Sequence, residues 1–407
     1  MLHHLRLRES GLESPSILPR IQAAHRLLSM ELSKTCSFKR KFSAGINCLD
    51  LELAEGKYLL TSGSEGLIVL YDLDDATNDV LSEFQPVCAV DRSSAACHKN
   101  SVETIQWYPH DTGMFLSSGM DSLLKVWDTN NLDVVEEFNI QKPIYNHHMS
   151  PIATQHYLVA VGSRREVVVL CDLKSGSMTH SLKGHRSSVY TVQWSPAEEY
   201  TLATGSRDNR IFIWDIRRAS GFVAALDQYN GELHTSASKA RSCTSHNGAV
   251  SGIRFTEDGR FLISYGTDNE LRLWDASNGK NTLVNFGKIY NTSSKGYKFS
   301  LSSGGLSDYV FVPSEGNIAT YEIQTGRQLS TLRGHYNNVS CCCYNPYRQE
   351  LYSGGNDSNI LVWSCNDHYE RYIKAKSQMK EERTKDSNTT NFKFYQDTWS
   401  SDEDNEK

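Results

Sequence analysis

The sequence predicts an all-β fold made of seven repeated units, and two observations carry that prediction. Four segments share one code: a histidine, an aromatic residue nine positions on, a hydroxyl residue, an aspartate four beyond it and a tryptophan six beyond that. The copies are His98, Trp107, Ser117, Asp121, Trp127; His185, Trp194, Thr204, Asp208, Trp214; His246, Phe255, Ser264, Asp268, Trp274; and His335, Tyr344, Ser353, Asp357, Trp363. Three weaker copies end at Tyr71-Asp72, Cys171-Asp172 and Tyr321-Glu322, which brings the total to seven. A fixed long period marks a repeat architecture, in which no unit buries its apolar face alone and stacked neighbours bury it together. The second observation lies inside a copy such as Val189 to Asp215, where short β-rich runs (VYTVQW, TLATGS, IFIWDI) alternate with turn residues (SPAEEY, RDN) and helical periodicity is absent.

The pairs Gly184-His185 and Gly334-His335, with Trp127-Asp128, Trp214-Asp215 and Trp274-Asp275, resemble the GH and WD pairs of the WD40 family. The resemblance covers about residues 36 to 365. It implies a seven-bladed WD40 β-propeller whose blades are four-stranded antiparallel sheets, a closed ring with no long exposed edge. In chain order, residues 1–35 are expected to form an N-terminal helical extension, because Ile21, Ala24, Leu28 and Leu32 recur at helical spacing. Residues 36–366 form the propeller. The last copy ends at Trp363 in polar sequence, so an N-terminal strand has to complete the last blade, and Cys36 to Phe42 is the segment expected there. Residues 367–407 are charged and poor in apolar side chains, which predicts a mostly disordered acidic C-terminal tail. Within it, Ser400 and Ser401 directly precede Asp402, Glu403 and Asp404 and are candidate acidophilic phosphorylation sites, a plain solvated tail being the alternative.

Composition narrows the function classes. Hydrophobic residues make up 39% of the 407 residues, and no apolar run approaches the roughly 18 residues of a membrane span. The start of the chain (MLHHLRLRES) has no apolar stretch of secretory length, so export is not expected. Ten cysteines without a C-x-x-C pair argue against a disulfide framework or a zinc site. Basic clusters occur at Lys39-Arg40-Lys41, Arg164-Arg165 and Arg217-Arg218, but the formal net charge of −6 argues against direct DNA contact unless those clusters converge on one face.

Thr204, His185 and Asp208 have the residue types of a nucleophile, a general base and its orienting carboxylate. A hydrolase needs one such set beside a substrate cleft. Four sets in register with a tryptophan describe buried structural networks, tolerable only when every polar member is satisfied. No catalytic residue and no cofactor is therefore expected. His147 and His148 lack Cys, Asp or Glu partners at ligand spacing, and no metal site is expected either.

What remains distinctive is the run Trp214-Asp215-Ile216-Arg217, in which an arginine follows the WD pair by two positions. It resembles the docking box of propellers that act as substrate receptors of cullin-RING ubiquitin ligases. That resemblance implies that Arg217 and Asp215 contact the triple-propeller cullin adaptor, the large subunit of the DNA damage-binding protein; a surface arginine in a turn is the plain alternative. It further implies that the stripe Ile21, Ala24, Leu28, Leu32 enters a cleft of the adaptor, the alternative being that it covers the propeller's own face. Longer stretches, among them SVETIQWYPHDTGMF (101–115), HHMSPIATQHYLVAVGSR (147–164) and DTWSSDED (397–404), resemble receptors of this class that act in transcription-coupled nucleotide excision repair. The implied role is a non-enzymatic, nuclear substrate-recognition subunit whose partners are the ligase, the Cockayne syndrome B remodeller and the stalled RNA polymerase II complex. A non-catalytic WD40 scaffold in a chromatin or RNA-processing complex is the second reading.

Overall fold

The computed structural model describes residues 17–76, 82–218, 221–231, 244–291, 296–302 and 307–365, with a few positions at 6, 9–11, 14 and 305. The tail 367–407, with Ser400 and Ser401, lies outside the described residues. The chain folds as a seven-bladed β-propeller with a helix, Ile17–Leu28, before it. Blades 1 to 7 begin with the strands Ile46–Leu51, Val102–Trp107, Ile144–Met149, Val189–Trp194, Val250–Phe255, Ser300–Ser302 and Val339–Asn345. The three weak repeats are blades 1, 3 and 6, whose third strands are Ile68–Ala76, Val167–Asp172 and Asn317–Glu322.

Burial explains the strand composition. The two middle strands of a blade are covered on both faces by the neighbouring blades, so Thr201–Ser206 is buried from its second residue onward. Sequences of this kind read as continuous apolar or small-residue runs instead of alternating ones. The outermost strand of blade 3, Ser177–Lys183, is almost wholly exposed and correspondingly polar. The core lies between blades: Ala160, Val168 and Leu170 of blade 3 pack on Val189, Trp194, Phe212 and Trp214 of blade 4. In six blades the first strand carries a register shift near its start, as between Val102 and Thr104 or Val189 and Thr191. Such a bulge sharpens the local twist that splays neighbouring blades.

Ring closure differs from the expectation. The strand that completes blade 7 is Met30–Leu32, antiparallel to Ile360–Cys365 with Met30 opposite Cys365 and Leu32 opposite Trp363. Cys36–Phe38 instead runs parallel to Ser82–Val90, as a fifth strand on blade 1. The physical reason is visible in two anchors. Met30, 5% exposed, enters the core shared by blades 5 to 7, whereas Phe38 plugs the seam between blades 7 and 1, edge-on to Tyr71 at 5.0 Å and to Tyr352 at 5.7 Å. Leu32 therefore sits on a strand and not on the helix.

Candidate functional site

In each full repeat the aspartate, histidine, hydroxyl and tryptophan form one buried chain of hydrogen bonds. In blade 5, Trp274 Nε1 donates to Ser264 Oγ at 2.8 Å, Ser264 Oγ lies 2.7 Å from His246 Nε2, and His246 Nδ1 lies 3.0 Å from Asp268 Oδ1. The tryptophan N–H occupies the hydroxyl as an acceptor, so the hydroxyl hydrogen goes to Nε2 and the Nδ1 hydrogen to the carboxylate. The same chain runs through Trp127, Ser117, His98 and Asp121; Trp214, Thr204, His185 and Asp208; and Trp363, Ser353, His335 and Asp357. Burial opposes ionisation of Asp268, yet the hydrogen bond from His246, the Asn247 N–H and the charge of Arg272 hold its carboxyl well below the usual range. Burial likewise pushes His246 down, toward the neutral ring. The hydroxyls are 0% exposed, so no substrate reaches them, and their geometry is that of a brace between strands.

His147 and His148 are neighbours on one strand and turn to different blades. His147 Nδ1 meets Ser118 Oγ of blade 2 at 2.6 Å, and His148 Nδ1 accepts the main-chain N–H of Trp194 in blade 4 at 3.1 Å. Divergence of this kind follows from the strand period of two and prevents both rings from holding one ion.

Arg217 stands on the ring face where the third strands end in their Trp-Asp pairs, here called the WD face. Three features fix it. The Ile216 N–H donates to the Tyr200 carbonyl at 3.1 Å, which ties the turn to the loop between the first two strands of blade 4. Arg217 Nε and Nη2 donate to the two carboxylate oxygens of Asp215 at 2.9 and 2.8 Å, a bidentate fork, and the Arg217 main-chain N–H donates to the same carboxylate at 3.0 Å. The guanidinium carbon lies 4.7 Å from the centroid of the Tyr200 ring. Hydrogen bonds from Arg217 hold the Asp215 carboxyl below its ordinary range, so the clamp stays ionised. Downstream, Phe222 stacks on Phe212 at 4.2 Å and pins the chain after the turn. The outcome is an oriented guanidinium whose side chain is still 64% exposed, beside Arg218 at 62%. A charged group that is held but not covered suits a bidentate contact with a partner, because little side-chain freedom is left to lose.

The helix Ile17–Leu28 reaches the same face. It ends where Met30 pairs with Cys365, the end of a third strand, and Arg26 Nη1 donates to Gln349 Oε1 at 3.2 Å in the loop between the first two strands of blade 7. Ala24 and Leu27 are buried against the propeller, Ile21 is half-buried, and Leu28 and Leu32 are 48% and 41% exposed. The anticipated stripe is thus divided: part of it packs on the chain itself, and two leucines project. Tyr200, the platform under Arg217, escaped sequence reasoning, since it lies in a separate loop and carries no motif.

Two of the three basic clusters share a face but lie on different blades, 7 and 3, and the third is on the other face. Arg40 reaches Ser358 Oγ at 2.6 Å and Arg164-Arg165 lies in the turn between the second and third strands of blade 3, both on the face opposite Arg217-Arg218.

The WD domain, G-beta repeat family matches residues 92–128, 176–215, 237–275 and 326–364, the four blades with the full hydrogen-bonded code. The chain is 33% identical over 424 aligned residues to WD repeat-containing protein ATCSA-1 of Arabidopsis thaliana, covering 88% of this chain and 93% of that one. Partial similarity extends to Radiation-sensitive protein 28 of Saccharomyces cerevisiae, 24% identical over 45% of this chain and 39% of that protein. It also extends to Histone acetyltransferase type B subunit 2 of Debaryomyces hansenii, 27% identical over 56% and 54% of the two chains. Seven blades and similarity along nearly the whole length of both chains place the protein in the Cockayne syndrome A family of WD-repeat proteins.

Proposed function

We propose that this chain is the substrate-recognition subunit of a nuclear cullin-RING ubiquitin ligase that acts in transcription-coupled nucleotide excision repair. The observation that carries this reading is the clamped Arg217: a guanidinium oriented by Asp215 and Tyr200, left exposed on the WD face beside Arg218, with the Ile17–Leu28 helix seated on that same face. The triple-propeller adaptor, the large subunit of the DNA damage-binding protein, takes the WD face. The opposite face holds the Cockayne syndrome B remodeller or a component of the stalled RNA polymerase II complex. Binding both partners at once makes ubiquitin transfer effectively intramolecular, so proximity supplies the rate gain and no side chain of this propeller acts in the chemistry.

Affinity capture of the adaptor tests the reading with wild-type chain, Arg217→Ala and Leu28→Asp. Deleting residues 1–34 is the wrong perturbation, because it removes the strand Met30–Leu32 that closes the ring. Capture by the wild type and its reduction in both variants supports the receptor role. Absence of the adaptor from the wild-type capture refutes it and favours a scaffold without ubiquitin chemistry; equal capture by all three leaves the receptor class standing and removes these two residues from the interface.

A further inference from the structure

The face opposite Arg217 concentrates positive charge on two blades. Four turns of blades 3 and 4, residues 140–143, 164–166, 184–188 and 207–210, contain Lys142, Arg164, Arg165, Arg186, Arg207 and Arg210 against only Glu166 and Asp208. Asp208 is already occupied by His185 and by the main-chain N–H groups of Arg186 and Arg210. The turns 267–270, 315–316 and 356–359 of blades 5 to 7 carry Asp268, Glu270, Glu315 and Asp357, but Arg272 pairs with Asp268 and Glu270, His335 holds Asp357, and Arg40 reaches Ser358 beside it, so those turns are close to balanced. In a chain of net charge −6, six basic side chains against two carboxylates on two neighbouring blades is a placement that composition does not explain.

The positive sector is also built. Arg164 N–H donates to the Pro143 carbonyl at 2.9 Å, Ser188 Oγ donates to the Arg164 carbonyl at 3.4 Å, and Arg207 N–H donates to the Ser188 carbonyl at 2.9 Å. Turns from two blades are stitched together in this way, while Arg164, Arg186 and Arg207 keep exposed side chains and form no ion pair among the described residues. Beside them, Tyr145 and Tyr190 meet edge-on at 5.1 Å, one from each blade. Burial raises the Tyr145 hydroxyl above its ordinary range, and Arg164 and Arg207 are near enough for their charges to oppose that rise.

We infer that the rim of blades 3 and 4, with Arg164 and Arg207 beside the Tyr145–Tyr190 pair and Arg186 on the adjoining turn, docks an Asp/Glu-rich segment of a partner protein. Arginine forks pair with carboxylates through two parallel hydrogen bonds, and the half-buried Tyr145, held against the buried Tyr190, adds apolar contact at small entropic cost. A nucleic-acid duplex suits the surface less well, because duplex affinity needs a continuous track of neutralised phosphates and this basic cluster spans only two blades. The inference deepens the receptor reading, on which it rests for the biological occupant, by giving the face away from the adaptor a partner chemistry.

Fluorescence anisotropy tests it on the full chain with three labelled probes: a peptide alternating glutamate and tyrosine, the same peptide with lysine for glutamate, and a random-sequence DNA duplex. The wild type is expected to prefer the glutamate peptide to both other probes, with weakening by added salt. The Arg164→Glu, Arg186→Glu, Arg207→Glu triple variant should lose at least about tenfold in that affinity, whereas Arg217→Glu on the other face should not. Equal binding of the glutamate peptide by wild type and triple variant overturns the inference, as does a preference for DNA that the triple variant abolishes. Circular dichroism melting shows whether the triple variant is folded; if it is not, the single variants Arg164→Glu and Arg207→Glu are expected to weaken binding in the same direction, and their failure to do so overturns the inference. Adaptor capture on the same samples keeps the two questions apart: capture intact with no peptide preference sinks the rim alone, and capture absent from the wild type sinks the receptor reading.

Discussion

Replacing Ser264 with alanine takes one oxygen atom out of blade 5 and leaves two buried groups without partners. Trp274 Nε1 at 2.8 Å loses its acceptor, and His246 Nε2 at 2.7 Å loses its donor. Ser264, Trp274 and His246 are all 0% exposed, so water does not replace the lost bonds without entering the core. An orphaned buried polar group costs about 1–3 kcal/mol, which puts Ser264→Ala at roughly 2–4 kcal/mol once local relaxation is allowed. Against a typical total of about 5–15 kcal/mol, this is a large share. Ser264→Thr is the matched control, because blade 4 has Thr204 at the equivalent place with both bonds at 2.8 Å, and its cost should stay below about 1 kcal/mol. Urea unfolding followed by tryptophan fluorescence gives the midpoints, and amide exchange shows whether protection falls first in the strands of blade 5. If Ser264→Ala unfolds at the wild-type midpoint, the hydroxyl is not the hub of the network and the structural assignment of all four sets fails.

Three other outcomes follow from the same geometry. His147 is 1% exposed and burial holds its protonated form well below the usual range, so only the unfolded chain takes up that proton as pH falls through about 6.5. Its contribution is complete above that pH and is lost below it by about 1.4 kcal/mol per pH unit; His147→Asn should flatten the pH dependence of the urea midpoint by that slope. A Cβ on Gly266 would collide with Asp268 Oδ1 and with His246 Nδ1, whereas on Gly113 the nearest atom is an oxygen of the exposed Asp111 side chain at 3.2 Å. Gly266→Ala should therefore destabilise by about 1–3 kcal/mol and Gly113→Ala by clearly less, read from thermal melts. A chain beginning at residue 36 lacks Leu27 and Met30, which are 4% and 5% exposed, and should lose about 3–6 kcal/mol relative to a chain beginning at residue 17, measured by urea unfolding.

The parts of the fold that were legible share a cause. A buried polar network tolerates few residue types, so the His, Ser or Thr, Asp and Trp positions recur at fixed spacing and reveal the blades directly. Closure was misread because Met30–Leu32 is too short to show alternation, and Leu32 happens to fall in register with the helix. Cys36 to Phe42 attracted the assignment through Phe38, which is indeed a buried anchor, but of the seam beside blade 1. At the candidate site the motif exposed Arg217 and its clamp Asp215. It was silent on Tyr200, and silent on the sector of Arg164, Arg186 and Arg207, because those contacts join separate turns and depend on how the turns are stitched in space.

Arg217 on the WD face is the residue on which the functional account turns, and the equilibrium affinity of the purified adaptor for immobilised full-length chain tests it most directly. An arginine that anchors an interface is worth about 2 kcal/mol or more on truncation, so Arg217→Ala should weaken binding by roughly 30-fold, with Arg164→Glu on the opposite face unchanged. Equal affinities for wild type and Arg217→Ala would contradict the account.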